Sequence, residues 1–379
     1  MSSVVQQASH VIGREGLDRL IALLGSRGYR VIGPVLRDGA IVYDEVASAD
    51  DLPRGWTDEQ EAGRYRVKPR EDQALFGYVV GPHSWKRFLF PPRQHLFGVR
   101  RTATGLMFEP GEESGERYAF LGVRACELAA LAIQDRVFIG GAHADPGYRR
   151  RRESSLVIAV NCGEAHATCF CLSMGTGPEV RSGYDLVLTE LLDGDRHDFA
   201  LAGGSDAGAE IIAALAAPEA APEQQAAAAA VPERARGQMG RQLETEGLHD
   251  LLLDSLGHPR WDQVAARCLS CGNCTQVCPT CFCSAVEDVP EISGDGAARV
   301  RRWDSCFSLD FSHLTGGSIR GDIRSRYRQW MTHKLATWHD QFDTAGCVGC
   351  GRCISWCPVG IDLTEEAAAI RASAAEGGP

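Results

Sequence analysis

The sequence predicts an α+β protein, with an N-terminal α/β domain followed by a mostly helical, ferredoxin-like C-terminal domain. Residues 80–210 alternate short apolar runs with an apolar helical segment, the strand–helix–strand order of an α/β layer. Beyond them, helical spacing surrounds two cysteine-rich loops. We therefore predict an α/β domain at residues 1–206, a linker at 207–236 and a helical domain at 237–379.

The first predicted elements are one helix and two strands. Residues 14–24 place four leucine or isoleucine side chains on one helical face, which predicts an amphipathic helix. Residues 29–36 and 40–46 have the composition of strands, and Arg37-Asp38-Gly39 between them suits a hairpin turn. A polar, proline-containing stretch then covers residues 50–73.

The α/β layer is predicted from apolar runs in the middle of the chain. Strands are expected at residues 118–123, 155–160, 184–192 and 197–202, with a helix over residues 126–138. Four consecutive arginines at 149–152 are interpreted as a solvated loop face, or alternatively as a docking patch for an acidic partner. The short basic and aromatic cluster at residues 86–94 is interpreted as a packed loop rather than a nucleic-acid patch.

The alanine-rich segment 207–236 predicts a helical linker between the two domains. Prolines are expected to divide this linker into short pieces at Pro218, Pro222 and Pro232. Helical spacing then returns at residues 243–256, 261–267 and 325–342.

Two loops in the C-terminal domain share the spacing C-x2-C-x2-C-x3-C-P, at residues 268–279 and 347–358. In this spacing three thiolates hold three corners of a [4Fe-4S] cube, and the fourth cysteine ligates the other cube. The predicted ligands of one cluster are Cys268, Cys271, Cys274 and Cys357. Those of the other are Cys347, Cys350, Cys353 and Cys278.

Residues between and after these cysteines agree with the same chemistry. Gly272 and Gly351 allow backbone N–H groups to approach the inorganic sulfides, and Pro279 and Pro358 end the loops. Structural zinc is the alternative, because paired C-x2-C motifs also build zinc ribbons. Zinc takes four ligands, however, and does not require a fourth cysteine followed by proline in both loops.

A third cysteine set stands in the α/β domain at Cys126, Cys162, Cys169 and Cys171. Each follows a predicted strand or lies in a glycine-containing loop, so the four predict a third [4Fe-4S] cluster. The alternative is that they are buried as small apolar side chains. The remaining cysteines are expected to pack beside the clusters: Cys281, Cys283 and Cys306.

Composition narrows the class of protein. The 379 residues carry a formal net charge of -11, which argues against a general nucleic-acid or anionic-membrane binder. Fifteen cysteines, an N-terminus without a secretory pattern and the lack of a membrane-length apolar run indicate metal ligation in the cytoplasm rather than disulfides. No Walker, Rossmann or nucleophile-elbow motif is present, so we predict no catalytic residue.

Several of these stretches resemble the β subunit of cytoplasmic NAD(P)-coupled [NiFe] hydrogenases of the sulfhydrogenase type, a family that includes the corresponding iron–sulfur component of anaerobic sulfite reductase. The resemblance lies in residues 88–97, 122–138, 161–178, 268–286 and 333–370. At residues 125–127 the chain has Ala-Cys-Glu where the family pattern has Pro-Cys-Asp, but the cysteine is kept.

The resemblance implies a non-catalytic electron-transfer subunit. Its implied partners are a large nickel-bearing subunit, a small iron–sulfur subunit and a flavin subunit that binds NAD(P). It also favours the third cluster. Two alternatives stay open at this point: the equivalent subunit of a sulfite or sulfur reductase, and a zinc-stapled interaction module.

Overall fold

The computed structural model describes residues 8–111, 115–194 and 196–376. Its strands are β1 His10–Gly13, β2 Arg30–Arg37, β3 Ala40–Glu45, β4 Trp56–Glu61, β5 Arg64–Pro69, β6 Arg93–Thr102, β7 Gly105–Pro110, β8 Tyr118–Val123, β9 Leu156–Val160, β10 Leu186–Asp193, β11 Arg196–Gly203, β12 Ser284–Pro290, β13 Gly296–Trp303, β14 His313–Leu314 and β15 Gly317–Ser318. The N-terminal residues used above to exclude a secretory pattern, 1–7, lie outside the described ranges, as do the last residues of the chain, 377–379.

The helices are α1 Arg14–Ser26, α2 Lys86–Leu89, α3 Ala125–Phe138, α4 Pro146–Glu153, α5 Asp206–Ala214, α6 Pro222–Arg236, α7 Leu248–Asp254, α8 Arg260–Ala265, α9 Asn273–Gln276, α10 Ile323–Thr332, α11 Trp338–Phe342, α12 Arg352–Ser355 and α13 Leu363–Glu376. A π-helical turn, His333–Thr337, joins α10 to α11. No helix in the described part of the chain has the length and apolar run needed to cross a bilayer.

A seven-stranded sheet forms the N-terminal half, in the order β1-β11-β10-β9-β8-β2-β3. Its four central strands, β10, β9, β8 and β2, run parallel, and antiparallel strands complete both sides. Helix α1 buries its predicted apolar stripe against one face of the sheet, whereas α3 buries leucines against the other. The predicted α/β layer is therefore confirmed; strand β1 was not predicted.

Helices α5 and α6 occupy the alanine-rich segment. Helix α6 packs against β10 and β11 and buries Ala228, Val231 and Ala235. The expectation that Pro232 interrupts the helix is wrong, because α6 continues through it. The arginine run at 149–152 is not a solvated loop either: it lies in α4, where Arg151 is buried and donates from Nε to the Leu89 carbonyl at 2.8 Å.

The C-terminal region is less helical than its spacing suggested. Strands β12 and β13, which lie between the two cysteine loops, pair with β6 and β7 in a four-stranded antiparallel sheet. This sheet joins the insert to the N-terminal half of the chain. The prediction of a mostly helical second domain is therefore not confirmed, although the mixture of helices and sheets is. The β4–β5 hairpin within the polar stretch 50–73 was also not predicted.

The helices of the C-terminal region share an aromatic core. Trp261 of α8 lies against Tyr327 of α10, and Tyr327 contacts Trp330 one turn later. The sulfur-bearing residues Cys347 and Cys274 border this core. The long helical segment predicted at 325–342 is present as α10, the π turn and α11. This segment runs from the aromatic core towards the cysteine loops.

Candidate iron-sulfur sites

The two cysteine loops fold alike. Gly272 and Gly351 have left-handed φ values of 76° and 75° and start the short helices α9 and α12. At the equivalent position of each loop a backbone N–H points at the first thiol: Ser270 N lies 3.4 Å from Cys268 Sγ and Gly349 N lies 3.5 Å from Cys347 Sγ. Such N–H···S contacts stabilise thiolate charge and raise cluster potentials.

The structure brings together the four cysteines predicted for the first cluster. Burial raises the pKa of Cys274 well above its usual value, and the charges of Cys268, Cys357 and Cys271 raise it further. All four thiols line one cavity, which is closed on one side by aromatic residues of the C-terminal core. Cys271 is exposed, so this cavity lies at the protein surface.

The second predicted set also converges. Burial raises the pKa of Cys353 well above its usual value. The pKa is raised further by the charges of the other three thiols of the set, Cys347, Cys350 and Cys278. Cys278 comes from the first loop, so this set combines thiols of both loops. Lys334 of the π turn is buried, and its Nζ donates to Cys278 Sγ at 3.2 Å.

The third set gathers between β8, β9 and the following loops. Burial raises the pKa of Cys126 well above its usual value, with further contributions from Cys171, Cys350 and Cys162. Burial likewise raises the pKa of Cys169 to about 12, and Cys162 and Cys350 add to this. The four thiols are therefore neighbours although they are separated in sequence, and Cys350 of the second set lies beside them.

Tight packing holds the third set against the second loop. Gly349 packs directly against Cys171. A Cβ atom on residue 349 would lie only 2.6 Å from the Cys171 backbone. Phe170 N donates to Gly349 O at 2.9 Å. A fully buried ion pair between Glu127, next to Cys126, and Arg352 joins the same two segments.

Sequence reasoning missed these supporting residues. Lys334, Glu127 and Arg352 are single charged residues in otherwise ordinary segments, and no spacing rule marks them. Their signal is burial, which becomes visible only in the tertiary structure. The last three cysteines lie beside the first two sets: electrostatic interactions connect Cys281 with Cys278, and Cys306 with both Cys283 and Cys274.

A single metal ion and a [4Fe-4S] cube require different arrangements of their thiols. Within the described residues, no three His, Cys, Asp or Glu side chains converge tightly enough to hold one metal ion. A zinc site needs its sulfur ligands about 2.3 Å from one ion. In a [4Fe-4S] cube each thiolate binds a different iron, so four sulfurs gather around a larger centre.

Comparison with known proteins agrees with this geometry. Residues 267–361 match the family model of the 4Fe-4S dicluster domain. The chain is 30% identical over 337 residues to sulfhydrogenase 2 subunit beta of Pyrococcus furiosus, across 88% of this chain and 90% of that protein. The chain belongs to the sulfhydrogenase β-subunit family. No solved structure matches it significantly.

Membership of the sulfhydrogenase β-subunit family confirms the resemblance predicted from the sequence motifs. It also agrees with iron–sulfur electron transfer as the chemistry of the dicluster domain. The family match covers the N-terminal half as well as the dicluster domain, so the third cysteine set lies within related sequence.

Proposed function

We propose that this chain is the iron–sulfur electron-transfer subunit of a cytoplasmic multisubunit [NiFe] hydrogenase that couples hydrogen to NAD(P). Its partners in this proposal are a large nickel-bearing subunit, a small iron–sulfur subunit and a flavin subunit that binds NAD(P). The support is family membership together with a dicluster domain. In this role the chain conducts electrons and has no catalytic residue of its own.

The proposed ligands are the three cysteine sets described above. Bound [4Fe-4S] clusters supply one-electron acceptors and donors. The polypeptide holds its thiols at fixed positions, donates N–H groups to sulfur and surrounds them with apolar side chains. In the third set, for example, Cys126, Cys169 and Cys171 lie in an apolar cluster with three valines, which keeps water away from these thiols: Val79, Val80 and Val348.

The observation that carries the proposal is the contiguity of the three sets. The charge of Cys278, in the second set, raises the pKa of Cys274 in the first, in addition to burial. The charge of Cys350, also in the second set, likewise adds to burial in raising the pKa of Cys126 and Cys171 in the third. The second set therefore lies between the other two. Such a row suits electron transfer in single steps from one end of the row to the other.

We place a partner contact at the first set. Cys271 is exposed there, and the neighbouring Leu269 keeps 62% of its surface accessible. An exposed apolar residue beside a redox centre at the surface suits docking of another electron carrier, because docking brings the two centres close and removes water. The flavin subunit or the small iron–sulfur subunit would occupy this position.

Anaerobic purification of the native complex tests the assignment to a hydrogenase. We expect the chain to co-purify with a nickel-containing subunit and with flavin. Sirohaem instead of nickel would contradict the hydrogenase and indicate a sulfite reductase complex. Colourless protein that carries zinc would contradict electron transfer altogether, because thiolate–iron centres are brown.

Iron analysis tests the ligand assignment. Three cubes predict about twelve iron atoms per chain. The variant Cys169→Ala should lower this to about eight while the spectra of the dicluster domain persist. Cys281→Ala is the matched control, since Cys281 belongs to none of the three sets, and it should keep the full iron content. About eight irons in the unmodified chain would contradict the third cluster.

A further inference from the structure

A cavity of about 360 Å³ lies where helix α4 meets the four-stranded sheet. Its walls include Gln94 and His95 of β6, Arg301 of β13, and Gly147 and Arg151 of α4. None of the described residues that line it is a cysteine, so it is separate from the three cysteine sets. Its volume falls in the range of small-molecule sites, about 300 to 1,000 Å³.

Arg151 brings a buried charge to this cavity. Only 8% of its surface is accessible, and its Nε donates to the Leu89 carbonyl at 2.8 Å. Its Nη2 is also buried but has no hydrogen-bond partner among the described residues. A buried guanidinium nitrogen without an acceptor is unfavourable, so an acceptor from outside the chain would stabilise it.

Three side-chain nitrogens face the bare side of Gly147, in the first turn of α4. A Cβ atom on residue 147 would lie 3.4 Å from both Nη1 and Nη2 of Arg151, and 3.2 Å from Gln94 Nε2. The Gln94 amide is held in this orientation because its Oε1 accepts from Arg301 Nη2 at 2.6 Å. The positive end of the α4 dipole lies at the same turn, so the cavity presents donors and positive potential together.

The charges around the cavity do not balance within the chain. Arg301 is paired with Asp145, which also caps α4 by accepting from Tyr148 N at 2.7 Å. Arg151 has no such carboxylate partner in the described part of the chain. Burial lowers the pKa of Arg151; Asp145 opposes this, whereas the charge of Arg301 lowers it further. An arginine still keeps its proton, so the cavity attracts anions.

We propose that this cavity binds a phosphate group, either of free inorganic phosphate or of a nucleotide. The guanidinium fork of Arg151 and the Gln94 amide supply the donors, and a phosphate has enough oxygens to accept from all of them. A carboxylate has only two oxygens and would match fewer donors. The proposal does not depend on the cluster ligands.

Water and an acidic partner protein are the competing occupants. A water molecule would accept from Arg151 Nη2 but would leave the charge of the guanidinium unbalanced. The surface of a partner protein would reach the exposed Arg149 and Arg150 more readily than an arginine that is 8% accessible. The buried position of Arg151 therefore favours a small anion.

Isothermal titration calorimetry of the complete, iron-loaded chain tests the proposal, with inorganic phosphate and adenosine diphosphate as separate probes. At least one probe should bind; tighter binding of the diphosphate would identify a nucleotide, and tighter binding of phosphate the free ion. Arg151→Gln should weaken the binding about tenfold or more. Arg149→Gln is the matched control, because Arg149 is an exposed arginine of the same helix, and it should keep the affinity.

A second variant separates loss of the site from loss of the fold, since Arg151→Gln also removes the Nε bond to Leu89. Gly147→Ala keeps every charge and places a methyl group against the three nitrogens. It should weaken binding while the unfolding midpoint is kept or raised, because alanine favours the helix.

Three results would overturn the phosphate site. The absence of heat with both probes would leave water as the occupant. Equal affinities of Arg149→Gln and Arg151→Gln would show that binding follows overall charge rather than this cavity. Loss of co-purifying subunits in Arg151→Gln, without binding of either probe, would assign the arginines to an acidic partner. The proposed electron-transfer function is tested separately by iron content and stands or falls independently of these results.

Discussion

Lys334 places its ammonium group 3.2 Å from the sulfur of Cys278, a predicted ligand of the second cluster. The same ammonium donates to Gly346 O at 3.0 Å and to Thr280 Oγ1 at 3.2 Å. Burial alone would lower the pKa of Lys334, but the charges of Cys278 and its neighbours raise it well above the usual value. Lys334 therefore holds a positive charge beside a predicted cluster.

Lys334→Met should lower the reduction potential of one cluster, because the lost charge no longer stabilises the added electron. Two unit charges about 4 Å apart interact by about 1 to 4 kcal/mol between the dielectric of water and an effective value of about 20. The fall should thus be on the order of 100 mV for one electron. Redox titration followed by electron paramagnetic resonance measures it. Lys334→Arg keeps the charge and should retain the higher potential; an equal fall in both variants would contradict a role of charge.

Glu127→Leu should destabilise the protein by about 3 to 5 kcal/mol, because it leaves the buried Arg352 charge without a partner. Tyr43 Oη and Trp85 Nε1 also donate to the Glu127 carboxylate, at 2.8 and 3.0 Å, and would lose their acceptor. Anaerobic denaturant unfolding followed by tryptophan fluorescence measures the loss.

The matched control for the buried ion pair is an exposed one. Asp288→Ala removes the partner of Arg299 on the surface of the four-stranded sheet, where water screens the pair. It should leave the unfolding midpoint unchanged. A similar shift of the unfolding midpoint in both variants would mean that burial does not determine how much the Glu127–Arg352 pair contributes to the free energy of unfolding.

Gly349→Ala should separate the second loop from the third cysteine set. Its φ of +64° and the 2.6 Å approach of a Cβ to the Cys171 backbone leave no room for a methyl group. We expect loss of about four irons per chain, measured by iron analysis. Gly294→Ala has a similar φ of +76° with no atom within 4 Å, so it should keep its iron. Equal iron in the two variants would contradict the role of close packing.

His166 should make the stability of the fold depend on pH. Burial would lower its pKa, but the hydrogen bond with Asp58 at 3.1 Å and the Glu164 carboxylate 3.8 Å away raise it from 6.5 to about 9. The stabilisation is complete below the unfolded pKa of 6.5 and is lost as pH rises through about 9. It amounts to about 3 kcal/mol at most.

Urea unfolding between pH 6 and pH 10, the range set by that shift, measures the effect of His166. His166→Gln should be less stable than the unmodified chain at the acid end of this range. The two midpoints should converge at the alkaline end, where the imidazole of the folded protein is neutral. A gap that is constant across the range would contradict the charged ion pair.

The sequence alone determined the local parts of this protein. Loop cysteines three or four positions apart are held together by the reach of the chain itself, so their spacing predicts the ligands within each loop. The helix at 14–24 and the strands of the α/β layer follow from apolar periodicity, which a single segment carries. Both kinds of prediction depend on neighbours in the chain.

Only the tertiary structure decided the parts that depend on distant segments. The pairing of β13 with β6 depends on edge hydrogen bonds between segments about two hundred positions apart, and no periodicity in either segment specifies it. The positions of Lys334, Glu127 and Arg352 depend on burial and on charges from other segments. The sequence thus determines which residues can hold electron carriers, whereas packing decides which charges surround them and which sets become neighbours.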